Sequence, residues 1–267
     1  MFMDHIWLDK SNVLYEDFVD DFDWVLIGVP FDSTETNIPG QRLAPNVIRN
    51  IFKSKDTERK INDIGNVIPA HGNPTEMISR IYEISRMVLK NNKKIIALGG
   101  EHTITYGIMK AYNEKYKNLQ MIYFDAHYDA KNYEHTKFTH CTFIRALKED
   151  LNINILPIGV RRYDKEEEMF AKKYLLKSLE SLKPRPTYIS IDLDYFDISL
   201  AQGCADKESN GYYFRDFIKE INEIMLKVKP RSIVGMDIVE LNPLIDSNRV
   251  TATLACDILI YMIEKIL

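Results

Sequence analysis

Two short segments, Asp125-Ala-His127-Tyr-Asp129 and Asp192-Leu-Asp194, carry ionisable side chains at every second residue. Side chains two apart on an extended segment point to the same side, so each set can converge. His102, after Gly99-Gly100-Glu101, adds a second imidazole. Four carboxylates and two imidazoles would then face one crevice. Four negative charges in so small a volume repel one another and raise their own protonation. Two divalent cations cancel them, and a bridging hydroxide would leave the site near −1. Oxygen-rich ligands with imidazole and no thiolate suit manganese better than structural zinc. Taken singly the pieces have plainer readings. An Asp-x-Asp pair often caps a helix, and a histidine after two glycines is more often a turn residue. The metal reading rests on their combination at separate strand ends.

The elements that must hold these groups appear as apolar, β-branched runs at residues 24–29, 94–98, 120–124, 154–159, 187–191 and 231–236. Continuous apolarity is what strands covered on both faces need. Between them, apolar residues recur at three to four positions: Ile78, Ile81, Ile84 and Val88; Phe214, Phe217, Ile221, Ile224 and Val228; Leu254, Ile258, Tyr261, Met262 and Ile266. That spacing predicts helices. Glu166, Glu167 and Glu168 suit the positive end of a further one. Strand–helix alternation implies a parallel sheet with helices on both faces. Ligands of such sheets bind outside the carboxyl ends of the strands. Four runs end in carboxylates or histidines there, the last as Asp237-Ile-Val-Glu240. The polar segments 30–45 and 202–211 are long for connections in a compact domain, and such loops are commonly functional.

The 267 residues give a prior near two domains, but α/β domains often exceed 200 residues. With no internal repeat and no linker-like tract, residues 1–267 are expected to form one catalytic domain. Thirty-five basic against 39 acidic side chains give a net charge of −4, which argues against a general grip on nucleic acid. The first residues lack a basic region followed by an apolar run, so no signal peptide is expected. Asp257 interrupts the longest apolar stretch well short of a membrane span. Cys141, Cys204 and Cys256 show no metal-like spacing and suit a reducing cytosol. A cytoplasmic protein is expected.

Five segments in order are Ile27-Gly-Val-Pro-Phe-Asp32, with Pro39-Gly40 and Ala44-Pro45 following; Gly99-Gly-Glu-His102; Asp125-Ala-His-Tyr-Asp129; Ser190-Ile-Asp-Leu-Asp194; and Gly235-Met-Asp-Ile-Val-Glu-Leu-Asn-Pro243. With the tail from Arg249 to Ala255, they make the chain resemble the ureohydrolase family of arginases, agmatinases and relatives. The resemblance implies a three-layer α/β/α fold with a mostly parallel sheet and two manganese ions. By position His102, Asp125, Asp129 and Asp192 would hold one ion. Asp125, His127, Asp192 and Asp194 would hold the other, with Asp125 and Asp192 shared. A hydroxide bridging the ions would attack the guanidinium carbon. His140 matches the family's catalytic histidine, a proton shuttle for the leaving amine or incoming water. Glu240 matches the carboxylate that receives the substrate's guanidinium. His5, His71 and His135 match nothing and read as surface or loop histidines. The family also implies a homo-oligomer, trimer or hexamer, acting on a small cationic guanidino compound.

Departures bear on the substrate. Family members commonly carry Pro after the last Asp of the Ser-x-Asp-x-Asp region, whereas Asp197 is followed by Ile198 and an unusual loop, 201–211. Residues 130–139 lack the Ser/Asn-rich run with which arginases read an α-amino acid. Phe138-Thr-His-Cys-Thr-Phe143 looks more like the agmatinase branch. The reading is therefore hydrolysis of agmatine to putrescine and urea. Alternatives are guanidinobutyrate, arginine or formiminoglutamate as substrate, and a non-catalytic protein binding polyamine or metal. A two-metal phosphoesterase would need an anchor such as Arg161-Arg162, and Glu240 would repel its phosphate. A preference for an acidic tail would point to Lys207.

Overall fold

The computed structural model describes residues 7–14, 22–55, 58, 60–133 and 136–267; His5 and His135 lie outside them. Eight strands of these described residues form one sheet in the order β1-β3-β2-β4-β8-β7-β5-β6. They are β1 (Leu8–Asp9), β2 (Trp24–Val29), β3 (Asn62–Val67), β4 (Lys94–Gly99), β5 (Gln120–Phe124), β6 (Asn154–Ile158), β7 (Thr187–Asp192) and β8 (Ile233–Val239). Only β1 runs antiparallel to its neighbour. Among the described residues, seven helices cover the sheet: α1 (Ala44–Ser54), α2 (Pro74–Lys90), α3 (Ile104–Lys115), α4 (Phe143–Leu151), α5 (Lys165–Tyr174), α6 (Phe214–Val228) and α7 (Val250–Ile266). Alternate residues of a strand face opposite layers. Val25 and Ile27 pack with Ile81 of α2, Ile108 of α3, Ile144 of α4 and Phe170 of α5. Trp24 and Leu26 pack with Ile48 of α1, Phe217 of α6 and Ile258 of α7. The result is the expected three-layer α/β/α architecture. No helix of the described residues is long and apolar enough to cross a membrane.

Two strands have no apolar signature. β1 is only two residues long, and β3 reads Asn-Asp-Ile-Gly-Asn-Val. β3 is nevertheless buried, because its polar groups are paired. Asp63 accepts from Arg49 Nε at 2.7 Å and Nη2 at 2.9 Å, and from the amide of Leu14 at 2.8 Å. Both side chains of this ion pair are almost wholly buried. Removing one partner of such a pair leaves an uncompensated charge. Arg49→Met is therefore expected to lower unfolding free energy by about 3–5 kcal/mol, measured by urea denaturation.

The glutamates at the start of α5 do as their position predicts. Glu167 and Asp164 cap each other's backbone amides, at 2.9 and 3.2 Å. Glu167 also accepts from the amide of Ala130 at 3.2 Å, which ties α5 to the segment after β5.

Candidate metal centre

β4, β8, β7 and β5 are consecutive neighbours in the sheet, and their carboxyl ends bring the predicted residues together. His102 follows β4 through Gly99-Gly100. A Cβ at Gly100 would lie 1.8 Å from the carbonyl oxygen of Phe31, so only glycine fits there. Its imidazole is fully buried, packs on Phe143 at 4.2 Å between ring centres, and meets Ser190 Oγ through Nε2 at 2.8 Å. Nδ1 faces Asp125 Oδ2 at 3.1 Å, Asp129 Oδ2 at 3.1 Å and Asp192 Oδ2 at 3.3 Å. Three acceptors converge on one ring nitrogen, and neither Nδ1 nor Asp125 Oδ2 forms a hydrogen bond of good geometry. A cation among these four groups would satisfy all of them, so the donor set fits a metal ion.

The carboxylates are oriented by backbone amides. His127 N donates to Asp125 Oδ1 at 2.6 Å, Asp194 N to Asp192 Oδ1 at 2.8 Å, and Ala126 N to Asp194 Oδ1 at 2.9 Å. In each case the second oxygen is left to face the cluster. His127 Nδ1 lies 2.8 Å from Asp194 Oδ2 and 3.5 Å from Asp125 Oδ1. Two groups of metal-ligating atoms result, each within 4.8 Å: His102, Asp125, Asp129 and Asp192; and Asp125, His127 and Asp194. The first is the expected set. The second lacks Asp192, so Asp125 is the member common to both.

The convergence does not arise on extended strands, as the spacing suggested. β5 ends at Phe124 and β7 at Asp192. Asp194 sits on a 3-10 turn, Leu193–Tyr195, and Asp129 has a φ of 49°. Glu240, just past β8, has a φ of 67°. Two non-glycine residues of the site thus occupy the left-handed region, where strain is tolerated at functional positions.

Asp237 differs from expectation. β8 continues to Val239, so Asp237 lies inside the sheet, opposite Ala97 and Ser190. It accepts from Ser190 Oγ at 2.5 Å, Thr105 Oγ1 at 2.8 Å and Tyr188 at 2.9 Å. Its role is to hold Ser190, and through it His102, from behind.

Burial raises the carboxyl of Asp125, but the adjacent imidazoles of His102 and His127 outweigh it and hold Asp125 well below the usual range. Burial and the charges of Asp194 and Asp125 push Asp192 well up. Burial and Asp125 push Asp129 up to about 8. Glu240 is raised by burial, then by Asp192, Glu35 and Glu101. Positive charge would relieve Asp129, Asp192 and Glu240.

A cavity of about 490 Å³ opens over the cluster and is lined by His127, Asp129, Asp192, Asp194, His140 and Glu240. His140 is not a surface histidine: it is 8% exposed, its amide faces Thr34 Oγ1 at 3.3 Å and its Nε2 faces Thr36 Oγ1 at 3.4 Å. Glu240 accepts from the amide of His102 at 2.6 Å and from Gln41 Nε2 at 3.2 Å.

The sequence profile of the Arginase family matches residues 22–264. The chain belongs to the arginase family. It is accordingly a hydrolase acting on carbon–nitrogen bonds of amidines. Among relatives, it is 30% identical over 261 residues to an agmatinase of Bacillus subtilis, covering 89% of each chain. It is 31% identical over 244 residues to the N(1)-aminopropylagmatine ureohydrolase of Thermococcus kodakarensis, covering 81% of this chain and 82% of that protein. The solved agmatine ureohydrolase of Thermoplasma volcanium superposes with a TM-score of 0.80 at 26% identity, covering 98% of this chain and 95% of that one.

Several residues of this arginase-family site were not singled out from the sequence. Glu101, fully buried, accepts from the amide of Thr34 at 2.8 Å and from Thr103 Oγ1 at 2.7 Å, pinning loop 30–45. Glu35, Gln41 and Asp206 come from the two long polar loops, and of these Asp206 lines the cavity, as does Cys204. Arg161 is no phosphate anchor: its guanidinium is occupied by carbonyls, including Asp194 O at 2.8 Å and Ser209 O at 3.0 Å. Lys207 is exposed, while its neighbours Asp206 and Glu208 line the cavity. His71 is an exposed residue, 3.5 Å from Arg42.

Proposed function

We propose that this arginase-family chain hydrolyses a guanidino compound, with agmatine as substrate and putrescine and urea as products. The whole chain serves as one catalytic domain, working in the cytoplasm as a homo-oligomer. The observation that carries the reading is a buried carboxylate, Glu240, standing beside two groups of metal-ligating side chains that share Asp125. A carboxylate there welcomes a cation and repels a phosphate. The agmatinase and agmatine ureohydrolase names of similar proteins support the same choice of substrate.

His102, Asp125, Asp129 and Asp192 would hold one manganese ion; Asp125, His127 and Asp194, with Asp192 adjoining, would hold the second. Bound there, the ions supply charge neutralisation and a water acidic enough to attack near neutral pH. Glu240 receives the guanidinium in a paired, charge-assisted contact that presents the carbon face-on to the cluster. Water adds to that carbon, the bond to the alkyl nitrogen breaks, and this nitrogen must gain a proton as it leaves. His140, on the wall of the cavity, delivers it.

His140→Asn is expected to slow turnover about a hundredfold with both metal ions retained, as read by urea release and elemental analysis of one sample. Loss of metal from this variant would instead make His140 a ligand.

The reading is tested by product release from manganese-loaded protein offered agmatine, N(1)-aminopropylagmatine, arginine, 4-guanidinobutyrate and formiminoglutamate. Preference for agmatine is expected. Preference for an acidic tail would keep the chemistry and change the substrate. No turnover of any compound, with two ions bound, would favour a binding protein.

A further inference from the structure

The geometry points to a second cation subsite, formed by Glu35 and Asp206, that takes the distal ammonium of an alkylguanidine and makes the enzyme selective for dications. The inference rests on the guanidino reading above and names which such compounds the site accepts.

Glu35 belongs to loop 30–45 and Asp206 to loop 202–211. Oxygens of both and a ring nitrogen of His140 lie within 4.8 Å of one another. Among the described residues, the groups that donate hydrogen bonds to them carry no charge. Glu35 accepts from the amide of Asn37 at 2.8 Å and from Gln41 Nε2 at 2.5 Å, and Asp206 accepts from Asn37 Nδ2. These donors are all neutral. Among the described residues, no lysine or arginine forms an ion pair with either carboxylate. The side chain of Arg162, which lines the cavity with Asp206, is 74% exposed and leans towards Glu208 at 3.8 Å.

Independent signs of a missing donor come from two buried neighbours. His140 lines the cavity with Nδ1 unpartnered. Gln41, with no exposed surface, sets its Nε2 between Glu35 Oε2 and Glu240 Oε2. Two carboxylates demand the NH2 end, so the amide cannot be flipped. Its Oε1 is thereby left as a buried acceptor without a donor. Acceptors with no donor among them complement an ammonium group, which has three donors and no acceptor. Gln41 also fixes the spacing between the outer carboxylate and the carboxylate that receives the guanidinium. A substrate with a carboxylate tail would place it against Glu35 and Asp206.

The test compares agmatine with n-pentylguanidine, which has a methyl group in place of the ammonium, on manganese-loaded enzyme. The wild type is expected to favour agmatine about a hundredfold in kcat/KM, the yield of a charge-assisted contact. Glu35→Gln and Asp206→Asn should each reduce that ratio about tenfold, through KM for agmatine. Both keep an oxygen to accept from Gln41 or Asn37. A wild-type ratio near one, an equal loss on both substrates, or a third metal ion held by these residues would overturn the subsite. Calorimetric titration with 1,4-diaminobutane needs no turnover, and the variants should bind it about tenfold more weakly. Weakened diamine binding without hydrolysis of any guanidino compound would leave the subsite standing and remove the proposed reaction. Hydrolysis that ignores the ammonium would do the reverse.

Discussion

Asp125→Asn is expected to remove both metal ions and to lower urea release at least a thousandfold. Asparagine has nearly the same shape, and its oxygen still accepts the His127 amide that now meets Asp125 Oδ1. What it lacks is charge at the one carboxylate common to both groups of ligands. Asp125 is also the member that neighbouring imidazoles hold below the usual carboxylate range, whereas burial pushes Asp129 and Asp192 up. Asp192→Asn, by contrast, touches the first group directly and should break the pair by releasing one ion. Elemental analysis after gel filtration, run beside the activity assay, separates the two variants. Either variant keeping two ions and the parent rate would defeat the two-metal reading.

Glu240→Gln should leave both ions in place and lower kcat/KM for agmatine about a thousandfold. A guanidinium facing a carboxylate gains two charge-assisted hydrogen bonds, each typically about 1.5–3 kcal/mol. Glutamine offers one acceptor and turns an NH2 towards either the substrate or Gln41, itself a donor to Glu240 at 3.2 Å. Stopped assays over a substrate range, with metal content measured on the same preparation, check the expectation. A loss below threefold would mean that the guanidinium binds elsewhere. Loss of metal would mean that Glu240 acts on the cluster, which it approaches through the amide of His102 at 2.6 Å.

Much of this was legible in the sequence because strands buried on both faces are apolar throughout and helices repeat at three to four residues. β2 and β5 occupy the predicted residues, and Ile78, Ile81, Ile84 and Val88 lie on the inner face of α2. The six cluster residues were found by type and spacing, although turns, and a left-handed Asp129, bring them together. β3 was invisible because its burial depends on Arg49, which hydrophobic patterning does not register. Asp237 was placed at a strand end because a buried carboxylate reads like an exposed one until Ser190, Thr105 and Tyr188 are seen around it. Glu35 and Asp206 were hidden for a different reason. Their link runs through Asn37 across 169 residues of chain, and no local pattern records a contact between two loops.

The cluster hangs from the ends of four adjacent strands, β4, β8, β7 and β5, and this has a consequence for the protein's abundance. The ligands share a site only when those strands are paired, so a metal ion held there binds the folded chain and not the unfolded one. At a thousand times its dissociation constant, such a ligand adds about 4 kcal/mol to stability, a large share of what a domain possesses. A cell poor in that metal would then hold fewer molecules of this protein, because unfolded chains are continuously removed by proteases. Supply of the ion would set how much enzyme exists as well as how fast each copy works.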